Sequence, residues 1–417
     1  MKKVLIISYY WPPSGGAGVQ RWLKFAKYLP EYGWEPIVLT VNPDFASYPQ
    51  IDKSLLEEAK AISTFRTKTF ELYNLYSSFK KNKQIPYGGF SNESDPSFFQ
   101  KVTRFIRGNF FLPDARKGWN RFAFAKAKKL ILKYDIDTII TTSPPHSTQL
   151  IGLKLKRELG VKWLADLRDP WTDIYYYYKF YPTVLARKID SYYERKVLLN
   201  ATNVTTVSPS IIRKLVSKYG SGLKVELLTN GYDESDFEDL SSHIDIKSKE
   251  ILYTGTLTMD YPIDEVFSLV NLLKDYSFRF IGNVPENFKS KVFELGLENR
   301  VFIHEGILHS EIVKKMISAS ALLLLIPKIK DNEGILTGKL FEYLGSGRPI
   351  IAIGPKEGDV ESILKNTGSG VYLEYDRLKT MVSAKELVIE RKNTEVHKKY
   401  SRRNLTLLLS NILDGLE

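Results

Sequence analysis

The chain of 417 residues contains no cysteine and only five histidines. The absence of cysteine excludes a disulfide framework and any zinc site that depends on thiolate ligands. It also fits a reducing compartment, and we expect a cytoplasmic protein. Long apolar runs are lacking too. None approaches the ~20 residues that a membrane-spanning helix needs, and the longest candidate, residues 321–327, has the length of a buried strand.

The amino terminus, MKKVLIISYYWPP, carries two lysines before an apolar run, as signal peptides do. The run is short, no small-residue cleavage site follows it, and Pro12 and Pro13 end it. We interpret this segment as the first β-strand of the fold.

The size and charge of the chain narrow its class. A chain of 417 residues suits two domains of about 200 residues each. Hydrophobic residues make up 43% and charged residues 26%, which is typical of a globular protein. The net charge of +12 favours anionic partners such as phosphorylated small molecules, nucleic acid or an anionic membrane surface.

Short, β-branched apolar runs alternate with segments of helical period, which predicts parallel sheets covered by helices on both faces. The predicted strands of the first half are 2–9, 35–41, 138–143, 162–167, 203–208 and 224–230. Those of the second half are the runs EILYTGT, FRFIGNV, RVFIHEG, ALLLLIP, RPIIAIG and SGVYLEY.

Composition also predicts the domain boundaries. We expect an amino-terminal domain over 1–233, a polar, acidic linker over 234–249, a second α/β domain over 250–395, and a helix over 396–417 that packs back on the first domain. Residues 76–100 are rich in Gly, Pro, Ser and Asn. They do not fit the alternation, and we interpret them as a long excursion or loop.

Two turns of the first domain are candidate sites. Gly15, Gly16 and Gly18 follow the first strand and open a helix, where backbone N–H groups attract an anion; the alternative is a tight turn. The spacing is not that of a dinucleotide fingerprint. His146 follows a strand and Pro144-Pro145, at the sheet edge where ligands collect. A single histidine is equally compatible with a structural role.

Two further motifs close the first domain. Asp166, Arg168 and Asp169 end another strand, and the spacing is compatible with either an ion-pair network or a substrate clamp. Asn230-Gly231 predicts a turn and, from its place between the domains, a hinge.

The stretch GILTGKLFEYLGSGRPIIAIG, residues 334–354, gives the most specific signal. It predicts a helix that begins near Thr337 and Gly338, with Lys339 in the first turn and Glu342 one turn later. A cation there is unfavourable against the helix dipole unless an anion binds. A phosphate would resolve that cost, and Glu342 would accept hydrogen bonds from adjacent ribose hydroxyls. A surface salt bridge, the alternative, explains neither the position nor the glycines.

These motifs, in order, resemble those of GT-B-fold glycosyltransferases, and of the family-4 type of bacterial polysaccharide and lipopolysaccharide enzymes in particular. The segments that carry the resemblance are the glycine-rich turn, SPPHS, DLRDPW, TNGYD, the turn YTGT and GKLFEYLGSGRPI. The resemblance implies an α/β fold of two facing Rossmann-like domains with parallel sheets, and a carboxyl-terminal helix that returns to the first domain.

The resemblance also implies roles for residues. Glu342 would hold the donor ribose, and Lys339 would contact the diphosphate together with the backbone of Thr337 and Gly338. The loop from Gly15 to Gly18 would close over the phosphates, and His146 would contact the transferred sugar. Further donor contacts would come from Gly255, Thr256 and Gly282, and catalytic candidates are His146, Arg168 and Asp169.

The chain departs from the family pattern in two places. Many members have two glutamates separated by seven residues, but the position eight before Glu342 is Gly334, with Glu333 one place away. Many also have cations after the first strand of the second domain, where this chain has none. Lys339 would carry more of the charge, helped by Arg21 or Arg168. The family implies a retaining hexosyltransferase with a nucleotide-sugar as co-substrate, UDP-sugar favoured, and no metal or other cofactor.

Residues 101–133 and 173–188 interleave Lys and Arg with aromatic residues. Such segments suit an anionic membrane surface, so we expect peripheral contact with the inner face of the cell membrane and a glycan or lipid-linked acceptor. The alternative is ordinary amphipathic helix packing. No RNA-binding motif accompanies them, and we expect no nucleic-acid partner. The alternatives for the whole chain are a nucleotide-sugar 2-epimerase and, behind it, a non-enzymatic basic binding module.

Overall fold

The structure is a computed structural model that describes residues 1–70, 97–237, 249–381, 387, 390–391 and 395–416. The excursion predicted over 76–100 lies outside these residues except for its last four, and so does most of the predicted linker. The chain forms two compact units. Unit 1 comprises residues 1–229 and 405–417, and unit 2 comprises residues 230–404.

Unit 1 contains a parallel sheet of seven strands in the order β3-β2-β1-β4-β5-β6-β7. The strands are β1 Lys2–Ile7, β2 Trp34–Val41, β3 Ser63–Thr67, β4 Thr138–Ser143, β5 Lys162–Leu167, β6 Asn203–Thr206 and β7 Val225–Leu227. The helices are α1 Ala17–Tyr28, α2 Leu55–Ala59, α3 Phe98–Phe110, α4 Asn120–Tyr134, α5 Ser147–Leu159, α6 Val184–Asn200 and α7 Pro209–Tyr219.

Unit 2 contains a parallel sheet of six strands in the order β10-β9-β8-β11-β12-β13. The strands are β8 Glu250–Thr254, β9 Ser277–Ile281, β10 Val301–His304, β11 Ala321–Leu325, β12 Ile350–Gly354 and β13 Gly370–Glu374. The helices are α8 Ile263–Leu272, α9 Glu286–Glu294, α10 His309–Ser318, α11 Gly338–Gly345, α12 Asp359–Thr367 and α13 Arg377–Thr380. The last helix, α14 Arg402–Asp414, belongs to unit 1 from Leu405 onward.

Both sheets are buried on both faces, as the continuous apolar strands predict. In β1, Leu5 and Ile7 belong to one core cluster, whereas Val4 and Ile6 belong to the cluster on the opposite face, because successive strand residues alternate. Leu405, Leu409, Ile412, Leu413 and Leu416 of the last helix pack into that second cluster of unit 1.

The strand predictions need correction at the sheet edges and at several strand ends. β3 was not predicted, since its sequence STFRT is polar and its residues are only half-buried at the sheet edge. β7, predicted over 224–230, covers only Val225–Leu227, because it is the opposite edge strand and the chain leaves the sheet there. β1 ends at Ile7, two residues before its predicted end.

The strand order fixes where ligands meet each sheet. In unit 1 the order reverses between β1 and β4, and in unit 2 between β8 and β11. In open parallel sheets a crevice forms at the carboxyl ends of the strands at such a switch point. The segments at these points are the turn after β1, the β4–α5 turn, the turn after β8 and residues 326–337.

Candidate active site

A glycine at the amino end of α1, Gly18, makes room for an arginine side chain. A Cβ on Gly18 would lie 1.5 Å from Nη1 of Arg168, so only glycine admits the guanidinium there. Arg168 follows β5, and its Nε donates to the Ser143 carbonyl (3.1 Å) while Nη2 donates to the Pro144 carbonyl (3.0 Å). The structure thus brings the predicted Gly18 and Arg168 together and fixes a cation beside the turn.

Asp166 does not belong to that cluster. It is fully buried and accepts a hydrogen bond from Nη2 of Arg21 at 2.9 Å. Trp22, Thr142 and Thr205 donate the remaining hydrogen bonds to its carboxylate. Although burial acts to raise it, the Arg21 guanidinium holds the pKa of Asp166 below its ordinary value.

This network corrects two predictions. Asp166 pairs with Arg21 and not with its neighbour Arg168, since it lies within β5 and its side chain is in the core. Arg21 also donates to the carbonyls of Leu228 and Thr229 and has no exposed surface, so it is not available to a diphosphate. Asp169 lies beyond the strand end, where burial raises the pKa of its carboxyl against the opposing effect of Arg168.

His146 stands at the amino end of α5, at the predicted sheet edge. Its ring stacks on Trp171, with centroids 4.7 Å apart and an interplanar angle of 13°. Burial lowers the pKa of His146 to about 4, and the carboxylate of Asp114 only partly opposes this. Its Nδ1 atom is buried and has no hydrogen-bond partner among the described residues. At neutral pH His146 is therefore an uncharged hydrogen-bonding group with one nitrogen unused.

Two residues that the sequence did not single out hold this corner. Asp114 accepts hydrogen bonds from the Ser147 N–H (2.7 Å) and hydroxyl (2.8 Å). These bonds tie the loop between α3 and α4 to the start of α5. Asp190 accepts from Nε1 of Trp171 (3.3 Å) and from the Tyr177 hydroxyl (2.9 Å). Burial raises the pKa of Asp190 to about 6. Both partners are remote in sequence, which explains why spacing did not reveal them.

In unit 2, the predicted helix α11 begins at Gly338, with Thr337 as its N-cap residue. The Thr337 side chain makes no capping bond, and its hydroxyl is buried without a partner in the part of the chain that the structure describes. The first N–H groups of a helix are unsatisfied within the helix and carry partial positive charge. The amino end of α11 therefore combines unsatisfied N–H groups with an unpartnered hydroxyl, an arrangement suited to binding an anion.

Lys339 reaches back from α11 to the end of β8. Its Nζ donates to the Tyr253 hydroxyl at 2.9 Å and lies 4.3 Å from the centroid of that ring. A Cβ on Gly255, whose φ is +100°, would lie 2.6 Å from Cε and 2.8 Å from Nζ of Lys339. Burial lowers the pKa of Lys339 to about 8, against the effect of Glu342. An anion at this position would restore the ordinary pKa of the ammonium.

Gly282 completes this edge. It follows β9 with φ +131°, and a Cβ there would lie 2.5 Å from the Gly255 carbonyl oxygen. Tyr343, one residue after Glu342, accepts a hydrogen bond from the Thr254 N–H at 3.1 Å and joins α11 to the end of β8. The structure thus brings Gly255, Gly282 and Lys339 together, as predicted. Thr256 is adjacent to Gly255, and its carbonyl accepts from the Tyr253 hydroxyl.

Glu342 lies one turn after Lys339. Burial raises the pKa of its carboxyl, while His309 and Lys339 lower it and Asp236 raises it further. Nε2 of His309 lies 3.6 Å from Oδ2 of Asp236. No hydrogen bond from the described residues reaches the Glu342 carboxylate. The carboxylate is therefore available to a ligand hydroxyl, and His309 and Asp236 are nearby polar groups that sequence reasoning did not identify.

Comparison with known proteins shows what this chain is similar to. Residues 86–236 match the model of Glycosyltransferase Family 4. Sucrose-phosphate synthase from Thermosynechococcus elongatus is 14% identical, with a TM-score of 0.62 over 100% of this chain and 99% of that one. HepE of Anabaena, in complex with UDP and glucose, is 13% identical, with a TM-score of 0.61 over 100% of both chains.

The solved structures show that this chain has the GT-B fold, and residues 86–236 resemble Glycosyltransferase Family 4. The lipopolysaccharide outer core galactosyltransferase WaaB, in its apo form, has the same fold at 14% identity, with a TM-score of 0.58 over 99% of both chains. No curated protein matches the chain. The family match covers about a third of the chain and includes His146, Arg168 and Asp169. The predicted α/β fold with two parallel sheets is confirmed.

Two residues, Glu333 and Lys328, lie in the region where the chain departs from the family pattern. Glu333 lies in the 3-10 helix Asn332–Gly334, in a segment that Asn332 fixes by donating to the Pro327 carbonyl (2.7 Å) and the Tyr375 hydroxyl (2.9 Å). Lys328, a cation that was not predicted to matter, follows β11 and pairs with the buried Glu265 at 2.6 Å.

Asp135-Ile136-Asp137 is the only Asp-x-Asp sequence in the chain. It precedes β4, at the sheet edge opposite Gly18 and His146, and Asp137 accepts a hydrogen bond from Thr138. The described residues contain no group of three or more His, Cys, Asp or Glu that is placed to hold a metal ion.

Proposed function

We propose that this glycosyltransferase moves a sugar from a nucleotide-sugar, with a UDP-sugar favoured, to a glycan or lipid-linked acceptor at the cytoplasmic face of the membrane. Transfer retains the anomeric configuration and needs no metal. One observation carries the proposal: the amino end of α11 combines unsatisfied backbone N–H groups, the unpartnered Thr337 hydroxyl and the buried Lys339 ammonium.

The donor fits this edge of unit 2. The diphosphate accepts hydrogen bonds from the first turn of α11 and from Lys339, which Gly255 admits close to the backbone. Glu342, one turn later, accepts hydrogen bonds from the ribose hydroxyls. Fixed cations and dipoles of this kind stabilise the leaving diphosphate without reorganisation during the reaction. Structures of HepE contain UDP with glucose and UDP-glucose, which supports uridine as the base.

Unit 1 supplies the groups for the sugar and the acceptor. His146 is neutral at physiological pH, so it binds a sugar hydroxyl by a hydrogen bond and not as a cation. Arg168 and Asp169 are the charged candidates beside the glycine turn. The interleaved basic and aromatic segments 101–133 and 173–188 support an acceptor presented at an anionic membrane.

The test is binding and transfer with a panel of UDP-, GDP-, ADP- and dTDP-sugars. A ligand at 100 times its dissociation constant stabilises the folded state by about 2.7 kcal/mol, which a thermal shift detects. We expect one nucleotide to stabilise the wild type, and Lys339→Met and Glu342→Gln to abolish that shift. Lys289→Met is the matched control, because Lys289 is also three residues from a glutamate, Glu286, but it pairs with that glutamate and is exposed in α9.

Each outcome decides the proposal. A shift that both site variants lose and the control keeps supports the donor site. No shift with any nucleotide-sugar overturns it and favours a basic binding module. Release of a free epimer in place of a transferred sugar would identify an epimerase. The coupling constant of the anomeric proton in the newly formed product, measured by NMR, tests whether transfer retains the anomeric configuration.

A further inference from the structure

We propose that a ridge of exposed apolar side chains on unit 1 inserts into the surface of an anionic lipid bilayer. The apolar ridge consists of Phe98, Phe105, Ile106 and Phe110 of α3 and Val184 and Leu185 of α6. Phe98 is 83% exposed, Phe110 75%, Leu185 68% and Val184 59%. Folded proteins seldom leave such a group of large apolar side chains in water unless the surface has a partner.

The packing of α3 explains why these side chains face outward. Gly108 lies against Phe180, where a Cβ would be 2.4 Å from the Phe180 carbonyl oxygen. Nδ2 of Asn109 donates to the Tyr181 carbonyl at 3.1 Å, and its Oδ1 accepts from the Thr183 N–H at 2.7 Å. These contacts fix Gly108 and Asn109 of α3 on the tyrosine-rich turn, while the apolar side chains of the ridge stay exposed.

The same contacts make the apolar ridge continuous across two helices. Thr183 is the N-cap residue of α6 and accepts a hydrogen bond from the Ala186 N–H at 3.2 Å. Its link to Asn109 therefore holds the carboxyl end of α3 against the amino end of α6. Phe110 is the last residue of α3, and Val184 and Leu185 in the first turn of α6 continue the apolar ridge from there. A depression of about 290 Å³, lined by Lys101, Val102, Phe105 and Tyr181, lies beside it.

The charge around the apolar ridge identifies the kind of partner. Residues 97–134 contain ten Lys or Arg and one acidic residue, and residues 174–196 contain five and two. Every one of these carboxylates is used internally: Asp114 binds Ser147, and Asp190 and Glu194 are 2% and 0% exposed. Lys101, Arg187 and Lys188 are exposed beside the apolar side chains. Cations that border an apolar surface match the anionic headgroups and acyl boundary of a bilayer.

Two other partners fit the same surface less well. Single-stranded nucleic acid binds by base stacking on aromatic rings, whereas Ile106, Val184 and Leu185 are aliphatic. A second copy of the chain would bring two strongly basic surfaces together at a cost in repulsion. The structure also corrects the sequence prediction, because α4, within the predicted segment 101–133, packs Ala123, Ala127, Leu130 and Ile131 into the core. None of the described helices is long and apolar enough to cross a membrane, so the contact is peripheral.

This inference deepens the proposed function by assigning its membrane partner, but it is measured without any transfer reaction. The full-length protein is floated with vesicles of phosphatidylcholine alone or with 30% phosphatidylglycerol. We expect binding to the anionic vesicles only. Phe98→Ser combined with Phe110→Ser should lower the partition coefficient about twentyfold or more. Phe293→Ser is the matched control, since Phe293 of α9 in unit 2 is also 75% exposed, and it should change nothing.

The outcomes separate this inference from the proposed function. Loss of vesicle binding with an unchanged UDP thermal shift supports the apolar ridge and leaves the donor site intact. Equal binding of the wild type and the double variant overturns the inference, whatever the donor assay shows. Binding to single-stranded RNA in place of vesicles, or self-association that the double variant abolishes, also overturns it. Vesicle binding without any donor binding would overturn the proposed function alone.

Discussion

Replacing Gly255 by alanine should separate the donor site from the stability of unit 2. Two effects follow from the structure. The φ of +100° is unfavourable for a residue with a side chain, at a cost of about 1–2 kcal/mol in the free energy of unfolding. The new Cβ would also lie 2.6 Å from Cε and 2.8 Å from Nζ of Lys339, so the lysine must move.

The displaced ammonium loses its place at the amino end of α11. A hydrogen bond to a charged group is worth about 1.5–3 kcal/mol, so affinity for UDP should fall about ten- to hundredfold. Calorimetric titration with UDP measures this loss, and urea denaturation measures the stability of the same sample.

Gly296→Ala is the matched control. Gly296 also has a positive φ, +62°, in unit 2, but nothing lies within 4 Å of a Cβ built there. Both variants should therefore lose stability, and only Gly255→Ala should lose affinity for UDP. Wild-type affinity in Gly255→Ala would refute the assignment of Lys339 to the diphosphate. Equal losses of affinity in both variants would attribute the effect to destabilisation of unit 2.

Three further predictions test unit 1 and the chemistry. The pKa of His146, about 4, lies below its ordinary 6.5, so the folded state binds fewer protons than the unfolded chain between these pH values. The free energy of unfolding should thus fall by at most about 3 kcal/mol as the pH falls through this window, and less in His146→Gln. Asp166→Leu leaves the Arg21 guanidinium buried without its carboxylate and should cost about 3–5 kcal/mol in urea denaturation, whereas Arg21→Met with Asp166→Leu should recover part of it. Incubation with EDTA should leave the transfer rate unchanged; a loss that Mg²⁺ or Mn²⁺ restores would contradict the proposed metal independence.

The sequence predicted best what is local. The helix α11 begins at Gly338 as predicted, because the glycine, the first-turn lysine and the apolar period all lie within eight residues. The central strands were also predicted, since strands buried on both faces are continuous apolar runs. The edge strand β3 was missed for the opposite reason: it is half-buried, and its sequence, STFRT, is polar and has no apolar run.

What sequence reasoning could not supply was the partner of each polar group. Asp166, Arg168 and Asp169 lie within four residues, and the spacing alone suggested one cluster. In the structure the strand directs Asp166 into the core, where it meets Arg21, 145 residues away in the chain. Asp190 and Trp171 likewise support His146 from separate elements. Such pairings follow from strand order, and strand order is not encoded in any short segment.

The two units use the same device at their switch points. In unit 1, the first turn of α1 has glycine at position 18 because the guanidinium of Arg168 occupies the space of a side chain. In unit 2, Gly255 does the same for Lys339. Each cation comes from a later part of the same unit: Arg168 follows β5, and Lys339 lies in α11. Two carbonyl oxygens hold Arg168, and the Tyr253 hydroxyl holds Lys339. The planar guanidinium suits two carbonyls, whereas the ammonium is a point charge with a pKa that burial has lowered. An arriving anion therefore affects the two cations differently: it changes the proton affinity of Lys339 and leaves Arg168 charged throughout. If so, UDP binding to the wild type should take up more protons above about pH 8 than at about pH 7, which calorimetry in buffers of different ionisation enthalpy measures.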